Sequence, residues 1–199
     1  MLRHARWLIP VVALLVLIPQ SAHAATANVS EEDNFFSPQQ TKVATGDTIH
    51  WTNDGVNFHT STGDDPLGFW DSGFMSSGST FDFLFWGAGT FPYHCDIHTD
   101  MKGTVSVRPN AVPRNGPVGT KFNIRAGSQN SPAPYVFDIQ RRDPGGNWQT
   151  WLSNVTNRNS MFDSTGFPIG TYMFRVRVRN TSSGAASRWS PSVSIQVTA

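Results

Sequence analysis

Residues Gly89–Gly103 read Gly-Thr-Phe-Pro-Tyr-His-Cys-Asp-Ile-His-Thr-Asp-Met-Lys-Gly and hold the only cysteine of the chain. His98 follows Cys95 by three residues and Met101 follows it by six, so a thiol, an imidazole and a thioether share one short loop. Before the loop, Phe91, Tyr93 and Cys95 alternate with Pro92 and His94; after it, Val105 and Val107 alternate with Thr104 and Ser106. This period of two predicts a loop joining two strands, with Cys95 turned inward and His94 outward. Thiolate and thioether are soft donors suited to Cu(I), and imidazole suits either copper state, so Cys, Met and two His form the donor set of an electron-transfer copper site. The loop supplies three of the four. His59, within Trp51-Thr-Asn-Asp-Gly-Val-Asn-Phe-His-Thr-Ser-Thr-Gly63, is the candidate for the fourth. Each residue alone says little, since a lone buried Cys is usually a small hydrophobe.

The stretch Phe-Pro-Tyr-His-Cys-Asp-Ile-His-Thr-Asp-Met-Lys-Gly resembles the copper loop of the cupredoxins, the plastocyanin- and amicyanin-like blue copper proteins, and its Cys-x-x-His-x-x-Met spacing is closest to that of the amicyanin-like members. Gly46-Asp-Thr-Ile-His-Trp-Thr-Asn53 and Phe69-Trp-Asp-Ser-Gly73 extend the resemblance over roughly residues 26–108. The resemblance implies a Greek-key β-sandwich binding one copper per chain, with His59, Cys95 and His98 as trigonal ligands and Met101 as a weak axial one. It further implies that His98 lies at the surface end of the site, with His59 and Cys95 deeper. Docking by redox partner proteins would then involve Val56, Phe58, Ile97 and Thr99, and Asp54, Asp96 and Asp100 would steer a basic partner. The two residues between His98 and Met101 form a short connection that leaves room for a lengthened axial contact.

The chain begins with basic Met1-Leu-Arg-His-Ala-Arg-Trp7, an apolar run from Leu8 to Ile18, and Ala22-His-Ala24. The run is shorter than the ~20 residues of a spanning helix, and the small-x-small tripeptide fits a signal-peptide cleavage site. Residues 1–24 are therefore expected to be a signal peptide, with an uncleaved anchor as the competing reading; either predicts export to the periplasm or the extracellular space. With one Cys the chain has no internal disulfide, and a leftover thiol in an exported protein is explained by an intermolecular bridge or by metal ligation. The residues around Cys95 favour ligation. Asn28-Val-Ser, Asn154-Val-Thr and Asn180-Thr-Ser match the glycosylation pattern, a common one by chance.

Pro, Gly and Asn accumulate over residues 110–117, which read as a linker between 25–109 and 118–199. Charge separates across it: residues 25–109 hold three basic and eleven acidic side chains, net −8, and residues 110–199 hold ten and three, net +7. The fold class is all-β. Strands are expected near 26–31, 40–44, 47–53, 58–62, 80–86, 89–95 and 102–108, then near 120–126, 134–142, 147–152, 159–163, 170–180 and 188–198. Glu31, Glu32 and Asp33 read as a solvated acidic edge.

In Gly170–Asn180, Tyr172, Phe174, Val176 and Val178 alternate with Met173, Arg175, Arg177 and Arg179. With Ser187-Arg-Trp-Ser-Pro-Ser192 this half resembles a fibronectin type III domain, an immunoglobulin-like β-sandwich in which Tyr172 would be the corner tyrosine. Arg175, Arg177 and Arg179 allow three readings: interleaving with Trp189, Trp148 and Trp151 in a cation–π ladder, contact with a polyanion or cell surface, or docking on the acidic half. The ladder is the preferred one. No nucleic-acid partner is expected.

A His directly before the copper Cys also occurs in multicopper oxidases and copper nitrite reductases, where it holds a second copper. Here only His50 and His94 remain for that role, too few for a catalytic site. The chain has no phosphate loop, nucleophile elbow or Ser-His-Asp set. The expectation is a non-enzymatic, exported carrier of single electrons. The alternatives are a copper-delivery protein without redox turnover, an extracellular adhesion or glycan-binding protein with structural copper, and an oxidoreductase with a second copper.

Overall fold

A computed structural model describes residues 24–64 and 67–199, so the expected signal peptide falls, but for Ala24, outside the described residues. No helix among them is long and apolar enough to cross a membrane. The described residues form strands throughout: β1 (Thr26–Glu32), β2 (Phe35–Ser37), β3 (Gln40–Ala44), β4 (Thr48–Asn53), β5 (Thr62–Gly63), β6 (Thr80–Leu84), β7 (Gly89–His94) and β8 (Lys102–Arg108) in the first half. The second half holds β9 (Asn110–Val112), β10 (Asn115–Pro117), β11 (Lys121–Arg125), β12 (Tyr135–Arg142), β13 (Trp148–Val155), β14 (Asn159–Asp163), β15 (Gly170–Asn180) and β16 (Val193–Thr198).

In the first half, sheet β2-β1-β4-β6 faces sheet β3-β8-β7-β5. Alternation sets the faces: Ile49 and Trp51 point inward from β4, Phe91 and Tyr93 from β7, Val105 and Val107 from β8, all nearly or fully buried. Where β7 meets β8, Tyr93 pairs with Gly103; a Cβ at Gly103 would collide with the Tyr93 ring, so glycine lets that ring lie flat across the neighbouring strand. Trp51, Trp70, Phe85, Phe91 and Tyr93 interlock with ring centroids 5.2–6.4 Å apart.

Several expectations change. The strand expected over 58–62 is a single bridge between His59 and Met75 followed by the two-residue β5, because the chain there serves the His59 loop. The strand expected over 80–86 ends at Leu84, and Phe85 and Trp86 turn into the core. Residues 110–117, expected as a linker, form β9 and β10, with β9 pairing to β11 and β10 to β16. The acidic edge is also not uniformly solvated. Glu31 lies in register between Phe36 and Asn53 and is fully buried.

The second half pairs sheet β10-β16-β15-β12-β13 with sheet β14-β11-β9. Tyr172, Phe174, Val176 and Val178 of β15 are all inaccessible to solvent, and Phe162 of β14 packs on Phe122 of the neighbouring β11 and, across the layer, on Trp151, Tyr172 and Phe174. The two halves share one apolar core. Trp86 meets Tyr135 at a tilt and Phe137 edge-on, both with ring centroids 5.8 Å apart. Tyr135 Oη donates to the carbonyl of Gly68 at 2.8 Å. Backbone bridges join Gly87 to Gly127 and Thr90 to Arg188. The glycine at 127 is dictated by closeness, since a Cβ there would lie 2.6 Å from the Trp86 carbonyl and 2.8 Å from Phe137.

Two outcomes follow from this packing. Gly127→Ala forces the halves apart and is expected to cost about 1–3 kcal/mol; calorimetry should show one transition in the parent chain and a lowered, split one in the variant. Burial raises the Glu31 pKa from 4.5 to about 7, and neither of its carboxyl oxygens has a hydrogen-bond partner. The folded chain therefore keeps this proton after the unfolded chain has released it, so the contribution of Glu31 to stability is fullest below pH 4.5 and declines up to about pH 7. The decline is about 2–3 kcal/mol once residual solvent screening is allowed for. Subtracting the metal-free Glu31→Gln profile from that of the parent should isolate this slope, and the variant should be the more stable above pH 7.

Candidate metal centre

The turn from β7 to β8 is drawn tight by two backbone bonds: Cys95 N–H donates to the Met101 carbonyl at 3.0 Å and Met101 N–H to the His98 carbonyl at 2.9 Å. Cys95 and Met101 are thereby held at the core end of the loop, 0% and 1% exposed, while His98 is half-buried. His59 arrives from the connection between β4 and β5, pinned by reciprocal backbone bonds with Met75 at 3.1 and 2.9 Å, and is fully buried.

His59 Nδ1 and His98 Nδ1 lie 3.2 Å apart, and Cys95 Sγ lies 3.8 Å from the first and 3.6 Å from the second. Donors sharing one first-row ion, with bonds of about 2.0 Å to nitrogen and 2.3 Å to sulfur, stand roughly 3.3–3.8 Å from one another. The spacing fits such an ion, and a thiolate with two imidazoles is a donor set that suits copper. Among the described residues this is the cluster of three His, Cys or acidic side chains with its ligand atoms within 4.8 Å of one another. Met101, also buried, closes the same loop through its backbone bonds to Cys95 and His98.

The surroundings complete the site. Thr60 N–H points at Cys95 Sγ at 3.4 Å, and Thr60 Oγ1 accepts from Asp96 N–H at 2.9 Å, so one threonine ties the His59 segment to the cysteine loop. Buried Asn53 donates to the carbonyls of Asn57 and Met75 and accepts from Gly55 N–H, which fixes the course of residues 54–59. Asp33 Oδ1 accepts the N–H groups of Val56 and Asn57 at 3.0 and 3.1 Å and stands 3.5 Å from His59 Nε2. The Asn57 N–H, more than any other neighbour, holds the Asp33 carboxyl below its usual pKa. Burial holds the His59 imidazole below its own usual value, which favours the neutral, ligating form. The approach of Asp33 to His59, at 3.5 Å, is a charge contact and not a hydrogen bond, and it places a carboxylate on the outer-nitrogen side of the ring.

Sequence reading missed Asp33, Asn53 and Thr60. Asp33 stood in the acidic run taken as a solvated edge, and only the β1–β2 turn brings it under His59. His94 does turn outward. Its Nδ1 meets Asp64 at 2.8 Å and its Nε2 meets Asp96 at 3.0 Å, while His50 pairs with Asp82 at 2.6 Å, so each of these histidines sits in its own carboxylate contact.

Around His98 the surface is apolar, with Val56, Phe58, Phe74 and Ile97 exposed at 82, 59, 77 and 43%. Asn57, Phe58, Phe74, Ile97 and His98 line one shallow hollow. Phe74 joins the three apolar residues expected there. Asp54, Asp96 and Asp100 are also exposed.

No protein-family model matches the chain, and no curated protein matches it significantly. Solved structures similar to parts of it include a purple cupredoxin from Nitrosopumilus maritimus, 26% identical, covering 41% of this chain and 98% of that one with a TM-score of 0.39. An oxidised amicyanin variant is 24% identical and covers 40% of this chain and 79% of that one, with a TM-score of 0.39. A copper-containing nitrite reductase from Thermus scotoductus is 22% identical and covers 48% of this chain but 24% of that one, with a TM-score of 0.38.

Proposed function

We propose that the protein is an exported type 1 copper protein that carries single electrons between redox partners, with copper that His59, Cys95, His98 and Met101 would hold. The observation carrying this reading is the convergence of Cys95 Sγ and two Nδ1 atoms within 3.2–3.8 Å of one another at a buried position. Bound copper supplies a one-electron couple between Cu(I) and Cu(II). The chain's own part is to keep its donors still: the Cys95–Met101 and Met101–His98 backbone bonds, the Thr60 tie and Asp33 behind His59 hold the donors in one arrangement for both states. His98, the half-buried donor beneath the apolar rim, is the exit for the electron. A basic partner would seat on Val56, Phe58, Phe74 and Ile97 and be steered by Asp54, Asp96 and Asp100, with an association rate that falls with salt.

We further read residues 118–199 as a fibronectin type III-like domain. Tyr172 Oη donates to the Pro168 carbonyl at 2.8 Å, the bond a corner tyrosine makes to backbone just upstream.

The copper-loaded chain should show an intense thiolate-to-copper band that bleaches on reduction and returns on oxidation at one copper per chain. A colourless Cu(II) form overturns thiolate ligation, and release of copper on changing oxidation state identifies a delivery protein instead. Met101→Leu should retain copper and raise the reduction potential; loss of copper would refute a weak axial role. Asp33→Asn, which removes the charge facing His59, should weaken Cu(II) relative to Cu(I) about tenfold, an upward shift of about 60 mV by voltammetry.

A further inference from the structure

The outer face of β12 and β15 carries Arg142, Arg175, Arg177 and Arg179 against a single carboxylate, Asp138. Asp138 binds Arg177 at 3.0 Å and Arg179 at 2.9 Å. The other two acids of this half are engaged elsewhere: Asp143 with Arg141 and Gln149, and Asp163 with the Thr165 turn. Arg142 and Arg175 meet no carboxylate among the described residues. Arg175 spends Nε and Nη2 on the neutral Gln140 Oε1, and Arg142 donates to the Met173 thioether, a weak acceptor. Both lie over the same indole, that of Trp148, at 4.4 Å for Arg175 and 5.3 Å for Arg142. Arg175 also stacks on Trp189 at 5.1 Å, and Arg177 stacks on Trp189 at 4.8 Å.

Stacking on an indole uses the faces of a guanidinium. It leaves the in-plane N–H groups that Gln140 and Met173 do not take, those on Nη1 among them, to grip a carboxylate or sulfate. The ladder therefore holds Arg142 and Arg175 rigid and side by side without neutralising them. A rigid pair loses little side-chain entropy when an anion arrives. The sequence singled out Arg175, Arg177 and Arg179, but Asp138 already claims the last two, and the uncompensated pair is Arg142 with Arg175.

We propose that Arg142 and Arg175, clamped on Trp148, form an anion-binding site for an acidic polysaccharide bearing sulfate or carboxylate groups. The arrangement suits that class of polymer over the other polyanions. Trp148 and Trp189 have guanidiniums over their rings, so they offer no stacking platform to nucleic-acid bases. Among the described residues, none of the exposed large hydrophobics lies on β12, β13, β15 or β16, so the face has no apolar side chain to insert into a lipid surface. The second half's +7 against the first half's −8 directs a polyanion to this half and away from the copper rim.

The test measures binding of the copper-loaded full chain to dextran sulfate, polygalacturonate and neutral dextran by titration at several salt concentrations. Arg142→Gln/Arg175→Gln should weaken binding to the charged polymers more than tenfold and lower the salt slope by about two, one per lost cation. Lys121→Gln/Arg125→Gln removes the same charge from the other sheet and should change binding less than twofold. Arg142→Gln alone, which leaves the Arg175 stack on both indoles, should weaken binding at least threefold in a chain whose thermal unfolding is unaltered. Preference between dextran sulfate and polygalacturonate identifies the anionic group. Equal losses in the two double variants, no binding to either charged polymer, or tighter binding to single-stranded DNA or to anionic phospholipid vesicles would overturn the proposal. Because binding is read by titration and not by colour or potential, its failure is separate from any failure of the copper assignment.

Discussion

The hydrogen bond from Cys95 N–H to the Met101 carbonyl, closed by the one from Met101 N–H to the His98 carbonyl, is the constraint on which the candidate centre depends. Seven residues carry three donor side chains, and without those bonds each donor would sample its own rotamers and the entropy of gathering them would fall on metal binding. The bonds are sustained from below. β7 and β8 stay in register up to His94 and Lys102, and Gly103 makes room for the Tyr93 ring that packs on Trp51 and Phe36. The loop is thus the exposed end of an aromatic core dense enough to resist rearrangement, and a centre that hardly moves between oxidation states is what electron exchange requires.

What the sequence disclosed about this centre was what is local. Cys95, His98 and Met101 sit within one loop, and the alternation of β7 and β8 assigns their sides, so their gathering could be read without knowledge of the fold. His59 was legible as a histidine after a strand ending in Asn53. Asp33 was not: a carboxylate at a turn looks solvated whatever lies across from it, and it is the turn leaving β1, which runs beside β4, that carries it under His59. Glu31, two residues earlier and within β1 itself, was hidden for the complementary reason. An acidic residue in an alternating strand is assigned to the wet face by its chemistry, yet the parity of β1 puts Glu31 on the side of Val29. Residues 110–117 read as a linker because Pro and Gly punctuate turns, but short strands at a sheet edge tolerate both, and β9 and β10 are such strands.

The second half shows how one interaction can be read at two levels. Arginines alternating with apolar residues on β15 announce an amphipathic strand, and the tryptophans suggest cation–π stacking; both are visible in the order of residues. Which arginines are neutralised depends on where Asp138 falls in the β12–β15 pairing, directly opposite Arg177. That register makes Arg177 and Arg179 structural and leaves Arg142 and Arg175 without a carboxylate among the described residues, hydrogen-bonded only to Met173 and Gln140. Aromatic stacking and anion recognition do not compete, since one uses the faces of the guanidinium and the other its edge.

The two halves are also not independent bodies on a tether. Trp86 enters the second half's core through a pair of glycines that permit backbone contact, and Tyr135 reaches back to the carbonyl of Gly68. Strand β7 belongs to both arrangements: Thr90 near its start bridges to Arg188 and donates to the Trp189 carbonyl, while Cys95 follows at its far end. At about 3.3 Å per residue the thiol stands roughly 16 Å along the strand from the joint. One extended segment therefore runs from the tryptophan of the arginine stack to the copper loop. A chain anchored through Arg142 and Arg175 would hold its apolar rim at a fixed attitude to the anchoring polymer, leaving His98 open to a partner that approaches from solution.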